Sequence, residues 1–478
     1  MKPHCRKTAA QRPLAACIAA VLSLAAPAAM AATTWTVNTC SEANTGSGTI
    51  GSLRYAAANA ASGDTIDLTN TGCSTISLTT GGGGAVSLAQ ADITLKGPGK
   101  TALTIQASND RVLSHFGTGT LTVNDLTVAN GYLHPAFQVT AQGGCIFSYG
   151  KLTLSHVAVR SCRAQAVGAP VRGGGVYAKT GVFAKYSDIT GNTASNSGAN
   201  ANGGGGGIFT YGYAVLGSST LSGNQAQTGA GGGVRAFRDS LTIASTISGN
   251  IAMLGGGIYA QDNLNSPSDT FTLLNSTVSG NQALNIVGGA WTNAGTIHVY
   301  NSTVAFNTAG SATGPVSRYY GSGFNVNDSG AYYTDINHYK FKKVTLQSSV
   351  FSNNTSGTAT PVADDFGITR FSNLNLVPIS GQSNIVFGIA NPFQALPGAT
   401  VMRACALLGP LRDNGGLTKT HALMSHSPAI DAGNTSASGL SPYDQRGQAR
   451  TSGAQADMGA YEVQQNDIVF NAGFEGCP

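Results

Sequence analysis

Charge is scarce in this sequence: only 10% of its 478 residues are Asp, Glu, Lys or Arg. Basic residues number 26 and acidic residues 21, and four of the basic ones lie in the first twelve positions, so the remainder is nearly neutral and offers no electrostatic footprint for nucleic acid. Aromatic residues make up 7% of the chain, with two tryptophans. Beyond position 30 no stretch approaches the roughly 20 apolar residues of a transmembrane helix, so no helical span is expected. No segment of the middle sustains a helical period, which argues against a helical bundle. The cysteine spacings match no zinc ribbon or finger, and no metal or cofactor motif is read. Glycine, by contrast, is abundant at 64 residues, while 41% hydrophobic content argues against disorder.

The N-terminus carries Lys2, Arg6, Lys7 and Arg12 with no acid among them, then a small apolar run from Leu14 to Ala29, then Ala29-Met30-Ala31. This is the pattern of a secretory signal cleaved after Ala31, and it predicts a secreted or envelope-surface protein. Cys17 sits in a box like that of lipoproteins, but the apolar core follows it instead of preceding it, so lipidation is not expected. Six cysteines remain: Cys40, Cys73, Cys145, Cys162, Cys405 and Cys477. An even number in an exported chain suggests disulfides. Local closure favours Cys40 with Cys73 and Cys145 with Cys162, leaving Cys405 for Cys477.

Two short phrases alternate through the middle of the chain. The first reads GGGVYA from Gly173, GGGIFT from Gly205, GGGVRA from Gly231, GGGIYA from Gly255, GGAWTN from Gly288 and GSGFNV from Gly321. The second reads SDITGN from Ser187, STLSGN from Ser219, STISGN from Ser245, STVSGN from Ser276, STVAFN from Ser302 and SSVFSN from Ser348. Apolar residues alternate within each unit, as at Leu241, Ile243 and Ile247 or Leu273 and Val278, which is the period of half-buried strands. A unit this small cannot bury its own apolar face, so it must stack on its neighbours. The predicted fold is therefore all-β: a right-handed parallel β-helix rising about 4.8 Å per turn. Asn192, Asn224, Asn250, Asn281, Asn307 and Asn353 recur after the second strand and would stack into an amide ladder, at corners whose left-handed backbone asparagine tolerates. The glycine triplets would serve a second corner. Ser52 to Ala60 is the best helix candidate, positioned to cap the first coil, with strands beginning at Asp64. Further strands are expected at Ile93 to Leu95, Leu103 to Ile105, Leu121 to Val123 and Leu152 to Leu154.

The phrase SLRYAAANAASGDTI resembles the opening shared by proteins named for a CSLREA motif, with Ile50-Gly51 and Tyr55 departing from it. The glycine and asparagine phrases are similar to repeats of polymorphic outer-membrane proteins. LLGPLRDNGGLTKTHALMSHSPAIDAGN from Leu407, YDQRGQAR from Tyr443 and ADMGAYE from Ala456 resemble, in order, the choice-of-anchor Q domain. These likenesses imply a pectin-lyase-like β-helix with surface or extracellular placement, and no particular chemistry. They divide the chain into a signal (1–31), a capped β-helix (32–400), an anchor-like cap (401–463) and a tail (464–478) whose DIVFNAGFEGCP resembles short tails of exported proteins.

Carbohydrate enzymes share the implied fold, and they need clustered acids. Asp188, Asp239, Asp262 and Asp269 are scattered. Asp364 and Asp365 form the one adjacent pair and are the catalytic candidates. There is no G-x-S-x-G elbow, and His115, His298 and His421 show no partners in the sequence. Asp431, Asp444, Arg446, Asp457 and Glu462 read as an ion-pair and turn network closing the solenoid, with an active site or a calcium site as the alternative. The segment Arg318 to Lys343 interrupts the repeat. Its Arg318, Tyr319, Tyr320, Tyr332, Tyr333, Tyr339, Lys340 and Lys342 combine flat faces with positive charge, the chemistry of glycan binding. The sequence is thus read as an exported β-helix protein with a binding, adhesive or structural role toward a polysaccharide or cell-surface ligand. The alternative is a polysaccharide lyase or glycoside hydrolase.

Overall fold

A computed structural model of the chain describes residues 31–197, 203–261, 268–310, 321–328, 343–357, 361–370, 378–389, 396, 401–436, 441–465 and 467. They form a right-handed parallel β-helix. One coil runs from Val176–Ala178 on face C through Gly181–Lys185 on face A and Asp188–Thr190 on face B to Thr193–Ser197 on face D. Every one of these strands pairs in parallel with its counterpart in the next coil, as in Val176 with Ile208 and Ile189 with Leu221. Stacking yields sheets of 14, 12, 10 and 9 strands on faces A, B, C and D. Val176, Ala178, Val182, Ala184 and Ile189 point inward and join one buried core extending from Val37 to Val386. Burial of each large aliphatic side chain contributes about 1.5–3 kcal/mol, and it exists only because the neighbouring coil supplies the other wall.

Two ladders hold the corners of face B. At its entry Ser187, Ser219, Ser245, Ser276, Ser302 and Ser349 stack, each backbone N–H donating to the next hydroxyl at 3.0–3.2 Å. At its exit Asn192, Asn224, Asn250, Asn281, Asn307 and Asn354 stack. The position assigned to Asn353 is therefore corrected by one residue. Asn354 is the buried ladder member, and Asn353 precedes it with φ +62°. The corner geometry is corrected in the same way. The left-handed residues are those just before each ladder position, namely Gly191, Gly223, Gly249, Gly280, Phe306 and Asn353, not the ladder amides themselves. The glycine triplets solve a different problem. The first glycine has positive φ, as at Gly173 (+79°); a Cβ on the second would lie 2.4 Å from backbone at Gly174; one on the third would lie 3.0 Å from the Asn192 amide at Gly175.

Cys162 occupies the ladder position that precedes Asn192, and Cys145 the matching third-glycine position, so their disulfide replaces an amide–glycine contact. Cys40 and Cys73 are also bonded. Cys405 is disulfide-bonded, while Cys477 lies outside the described residues.

Helix α1, Leu53–Asn59, packs Leu53, Ala56 and Ala57 into the core, and the Ser52 hydroxyl accepts from Tyr55 N–H at its start. A strand not foreseen, Thr34–Val37, precedes the helix and pairs with Thr65–Asp67. Register departs from the local pattern in one coil. Ser240 and Thr242 point inward, aligned with Ala214 and Leu216 on one side and Phe271 and Leu273 on the other, so Leu241 and Ile243 face outward. The serine ladder at Ser245 sets this frame, and a one-residue slip to satisfy the leucine would break it.

The C-terminal segment does not lie across the end of the solenoid, as a closing cap would. It folds back along the outward side of face B, where Ala305, Val350 and Ile385 join Leu408, Leu423, Ala429, Met458 and Tyr461 in a second core. Polar contacts extend the docking: Thr277 to Gln445, Asn275 to Arg450 and Ala460 N–H to Thr303.

Candidate functional site

In a strand of a β-helix alternate residues face out, and the outward position of face C is the fifth residue of the glycine phrases, or the fourth in GGAWTN, which begins one position later. Phe147, Tyr177, Phe209, Arg235, Tyr259, Trp291 and Asn325 are consecutive register partners there. The rings stack along the solenoid axis, with centroids 5.4 Å apart for Phe147 and Tyr177, 5.8 Å for Tyr177 and Phe209, and 4.2 Å for Tyr259 and Trp291. This spacing is imposed by the coil rise, so the row is rigid by construction. Rings from the following turn extend it outward. Phe116 and Tyr211 lie 5.8 and 5.1 Å from Phe147 and Phe209, and Phe237 lies 5.1 Å from Tyr211. Phe116, Tyr149 and Tyr211 are 55%, 43% and 38% exposed, so the array has a solvent-facing border.

Arginines flank the same rings. Arg111 lies 5.2 Å from the Phe147 centroid, Arg172 lies 5.3 Å from Tyr211, and Arg235 lies 5.0 Å from Phe237 and 5.4 Å from Tyr259. Lys179 sits 3.9 Å over Tyr149. Burial lowers the pKa of Arg111, with Asp110 opposing, and burial does the same at Arg235, yet arginine remains charged in proteins. Flat faces plus cations make a surface suited to sugar rings and their substituents. Sequence reasoning quoted these glycine phrases for their glycines and overlooked their fifth position, where the aromatic recurrence was visible.

The residues singled out in the sequence are placed differently. Arg318, Tyr319, Tyr320, Tyr332, Tyr333, Tyr339, Lys340 and Lys342 lie outside the described residues. Asp365 ends the amide ladder: one oxygen accepts from Asn354 N–H and Nδ2–H at 2.9 and 2.7 Å, the other from Gly388 N–H at 2.7 Å. Burial raises its pKa against these bonds. Asp364 is 5% exposed; one oxygen accepts from the Ser322 hydroxyl at 2.9 Å and the other is buried with no hydrogen bond in ordinary geometry. Burial pushes its pKa up to about 7, opposed by Ser322 and Ser356. Asp188 pairs with Lys100 at 2.6 Å and Asp239 accepts from Thr270 N–H, while Asp262 lies outside the described residues. Among the described residues no group of three His, Cys, Asp or Glu could hold a metal ion, and no helix is long and apolar enough to cross a membrane.

His115, His298 and His421 all acquire partners on folding. His115 bonds Ser148 and the Gln90 carbonyl, and His298 bonds Tyr300. His421 is held between Ser279 at 2.7 Å and the Gly409 carbonyl at 2.6 Å, where face B meets the C-terminal segment. Burial depresses His421 to about 4, and burial raises Glu462, on the same segment, to about 7. Their pH effects are opposite. His421 supports docking fully above its free value of about 6.5 and loses that support as pH falls toward 4; Glu462 supports docking best below about 4.5 and loses it as pH rises through 7. Each swing is worth about 3 kcal/mol. Relative to wild type, Glu462→Gln should therefore show docking that weakens on acidification from pH 7 to 4.5, and His421→Asn docking that strengthens. Protease release of the segment across that range is the measurement, and parallel profiles for both variants would refute the assignment.

No family model matches this chain, and no curated protein matches it, so the likeness of its C-terminal blocks to the choice-of-anchor Q domain rests on the residues alone. Among solved structures, the crystal structure of pectate lyase Pel9A is similar at 15% identity, over 90% of this chain and 96% of that one, with a TM-score of 0.39. A likeness so distant carries no argument.

Proposed function

We propose that this is an exported, surface-associated β-helix protein that binds polysaccharide along the outward side of face C. The observation that carries this reading is the row of stacked rings continuing through consecutive coils and opening to solvent at Phe116, Tyr149 and Tyr211. Phe147, Tyr177 and Phe209 are themselves buried in a small aromatic cluster, so the rings available to a ligand are those of its border, Phe116, Tyr149 and Tyr211. The signal-like N-terminus and the two described disulfides support export. An adhesive or presenting role follows from rigidity, since a preformed row binds a polymer without ordering cost.

The test is binding of the purified mature protein to a panel of neutral and acidic polysaccharides, with new reducing and unsaturated ends recorded together. Replacing exposed rings, as in Tyr211→Ala with Phe116→Ala, should weaken binding at least tenfold while leaving the melting temperature within a few degrees, because stacking on each ring contributes on the order of 1 kcal/mol. Unchanged binding in that variant would refute the site. Chain cleavage by the wild type would replace the binding reading with that of a polysaccharide lyase or hydrolase.

A further inference from the structure

The C-terminal segment that docks on face B carries an open cavity of about 430 Å³, within the range of about 300–1,000 Å³ usual for small-molecule sites. Every residue lining it is polar, among them Arg446, Gln448, Ser452, Gln464 and Asp467. Part of this lining is fixed in place. Arg446 is held by Asp444 at 2.8 Å, by Asp467 at 3.3 Å and by the Glu462 carbonyl, over the Tyr461 ring. Asp467 Oδ2 also accepts from the Tyr461 hydroxyl at 2.7 Å and from Gln464 N–H at 2.8 Å. Gln464 Nε2–H in turn donates to the Ala449 carbonyl at 3.0 Å. These bonds leave acceptors to spare. Asp467 Oδ1 has only a long contact to Arg446 Nη1, at 3.4 Å, and the Gln464 side-chain oxygen accepts no hydrogen bond among the described residues. Gln448 and Ser452 bond there through their backbone N–H groups, to Asp444 and Glu462, and their side chains bond to nothing among the described residues.

The lining selects its ligand by exclusion. Asp467 disfavours an anion, Arg446 disfavours a cation, and no aliphatic or aromatic side chain offers an apolar wall. A neutral ligand with several hydroxyl groups satisfies what remains, because a hydroxyl both donates and accepts. It donates to Asp467 Oδ1 and the Gln464 oxygen, and accepts from the Gln448 amide and the Ser452 hydroxyl. We infer that this cavity is a second carbohydrate site, for a neutral sugar of one or two rings, independent of the polymer row on face C. The two sites lie on different walls of the solenoid, so one molecule holds a polymer along face C and a separate glycan at its C-terminal segment. Such bivalence strengthens attachment to a glycan surface without any new contact at either site.

The experiment is calorimetric titration of the mature protein with glucose, galactose, mannose, cellobiose and maltose, with sodium sulfate and spermidine as the anionic and cationic competitors. At least one sugar should bind with millimolar affinity that does not fall as salt is raised, and neither ion should displace it. Gln448→Ala with Ser452→Ala should weaken that sugar at least tenfold and leave the melting temperature unchanged, because neither side chain is bonded within the fold. Tyr211→Ala with Phe116→Ala, which strips the border of face C, should leave the same affinity unaltered. The two sites therefore fail separately: loss of polymer binding in the ring variant speaks to face C alone. Displacement by sulfate or spermidine would overturn the neutral class of ligand. Binding of none of the five sugars, binding that survives Gln448→Ala with Ser452→Ala, or binding lost in the ring variant would overturn the cavity as a site.

Discussion

Asn250→Ala is expected to cost the solenoid about 2–4 kcal/mol, far more than its small loss of volume. The Asn250 carbonyl accepts from both the backbone N–H and the Nδ2–H of Asn224, and its own Nδ2–H donates to Asn281 and to the Leu221 carbonyl. All of these groups are buried at 0% exposure, so truncation leaves donors that no solvent reaches, at about 1–3 kcal/mol for each unsatisfied group. Cooperativity along the ladder adds to the effect, because each amide polarises the next toward Asp365. Asn354→Ala should match it, since it severs the ladder from its terminal carboxylate. Asn353→Gly should cost less, as its φ of +62° suits glycine and it is not a member of the amide ladder. Thermal or denaturant unfolding of the three variants decides the matter. A larger loss at Asn353 than at Asn354 would show that the ladder has been assigned to the wrong residue.

Asp444→Ala should detach the C-terminal segment from the solenoid. The carboxylate accepts four bonds, from Arg446 N–H at 2.9 Å, Arg446 Nε–H at 2.8 Å, Gln448 N–H at 3.0 Å and Glu462 N–H at 3.2 Å. The Arg446 side chain is 3% exposed and stacks 3.8 Å over Tyr461, so it cannot swing into water when its partner is removed. Removing one member of a buried pair costs about 3–5 kcal/mol, because the other charge stays desolvated. Asp467, at 3.3 Å, compensates only in part. The second core on face B is small, ten buried side chains of which five are alanine or methionine, and it must also offset the ordering of the segment. Calorimetry should show a new low-temperature transition, with protease cutting in the segment while the coils stay intact. A single unshifted transition would mean that the segment and solenoid fold as one unit and that the pair contributes little.

The aromatic row gives the clearest instance of a feature written in the sequence and missed there. Tyr177, Phe209 and Tyr259 occupy the fifth place in phrases already recognised as repeats, Trp291 the equivalent fourth place of GGAWTN, and Phe147 the fifth place in GGCIFS from Gly143. Reading the phrases for their glycines answered why the backbone turns and left unasked what the remaining positions present to solvent. Asp365 shows the opposite case. As one of two adjacent acids it resembled chemistry, while its role as the last acceptor of the ladder depends on Asn354, eleven residues away, and on Gly388 beyond it.

The sequence by itself determined the parallel β-helix, the repeat, the capping helix and the two local disulfides. Each follows from period, turn residues or closure over short separations, which neighbouring residues encode directly. Three matters were decided only by the tertiary structure. The frame of the Ser240 coil follows the ladders above and below it in place of its own leucines, because a shift would cost several buried hydrogen bonds and gain two half-buried side chains. The C-terminal segment lies along face B and not across the end, because the outward Ala305, Val350 and Ile385 offer an apolar strip that only stacking creates. The convergence of Arg172 and Arg235 on Phe209 arises because residues 63 apart in the chain are brought to one ring by the coil rise, a distance relation that no local pattern carries.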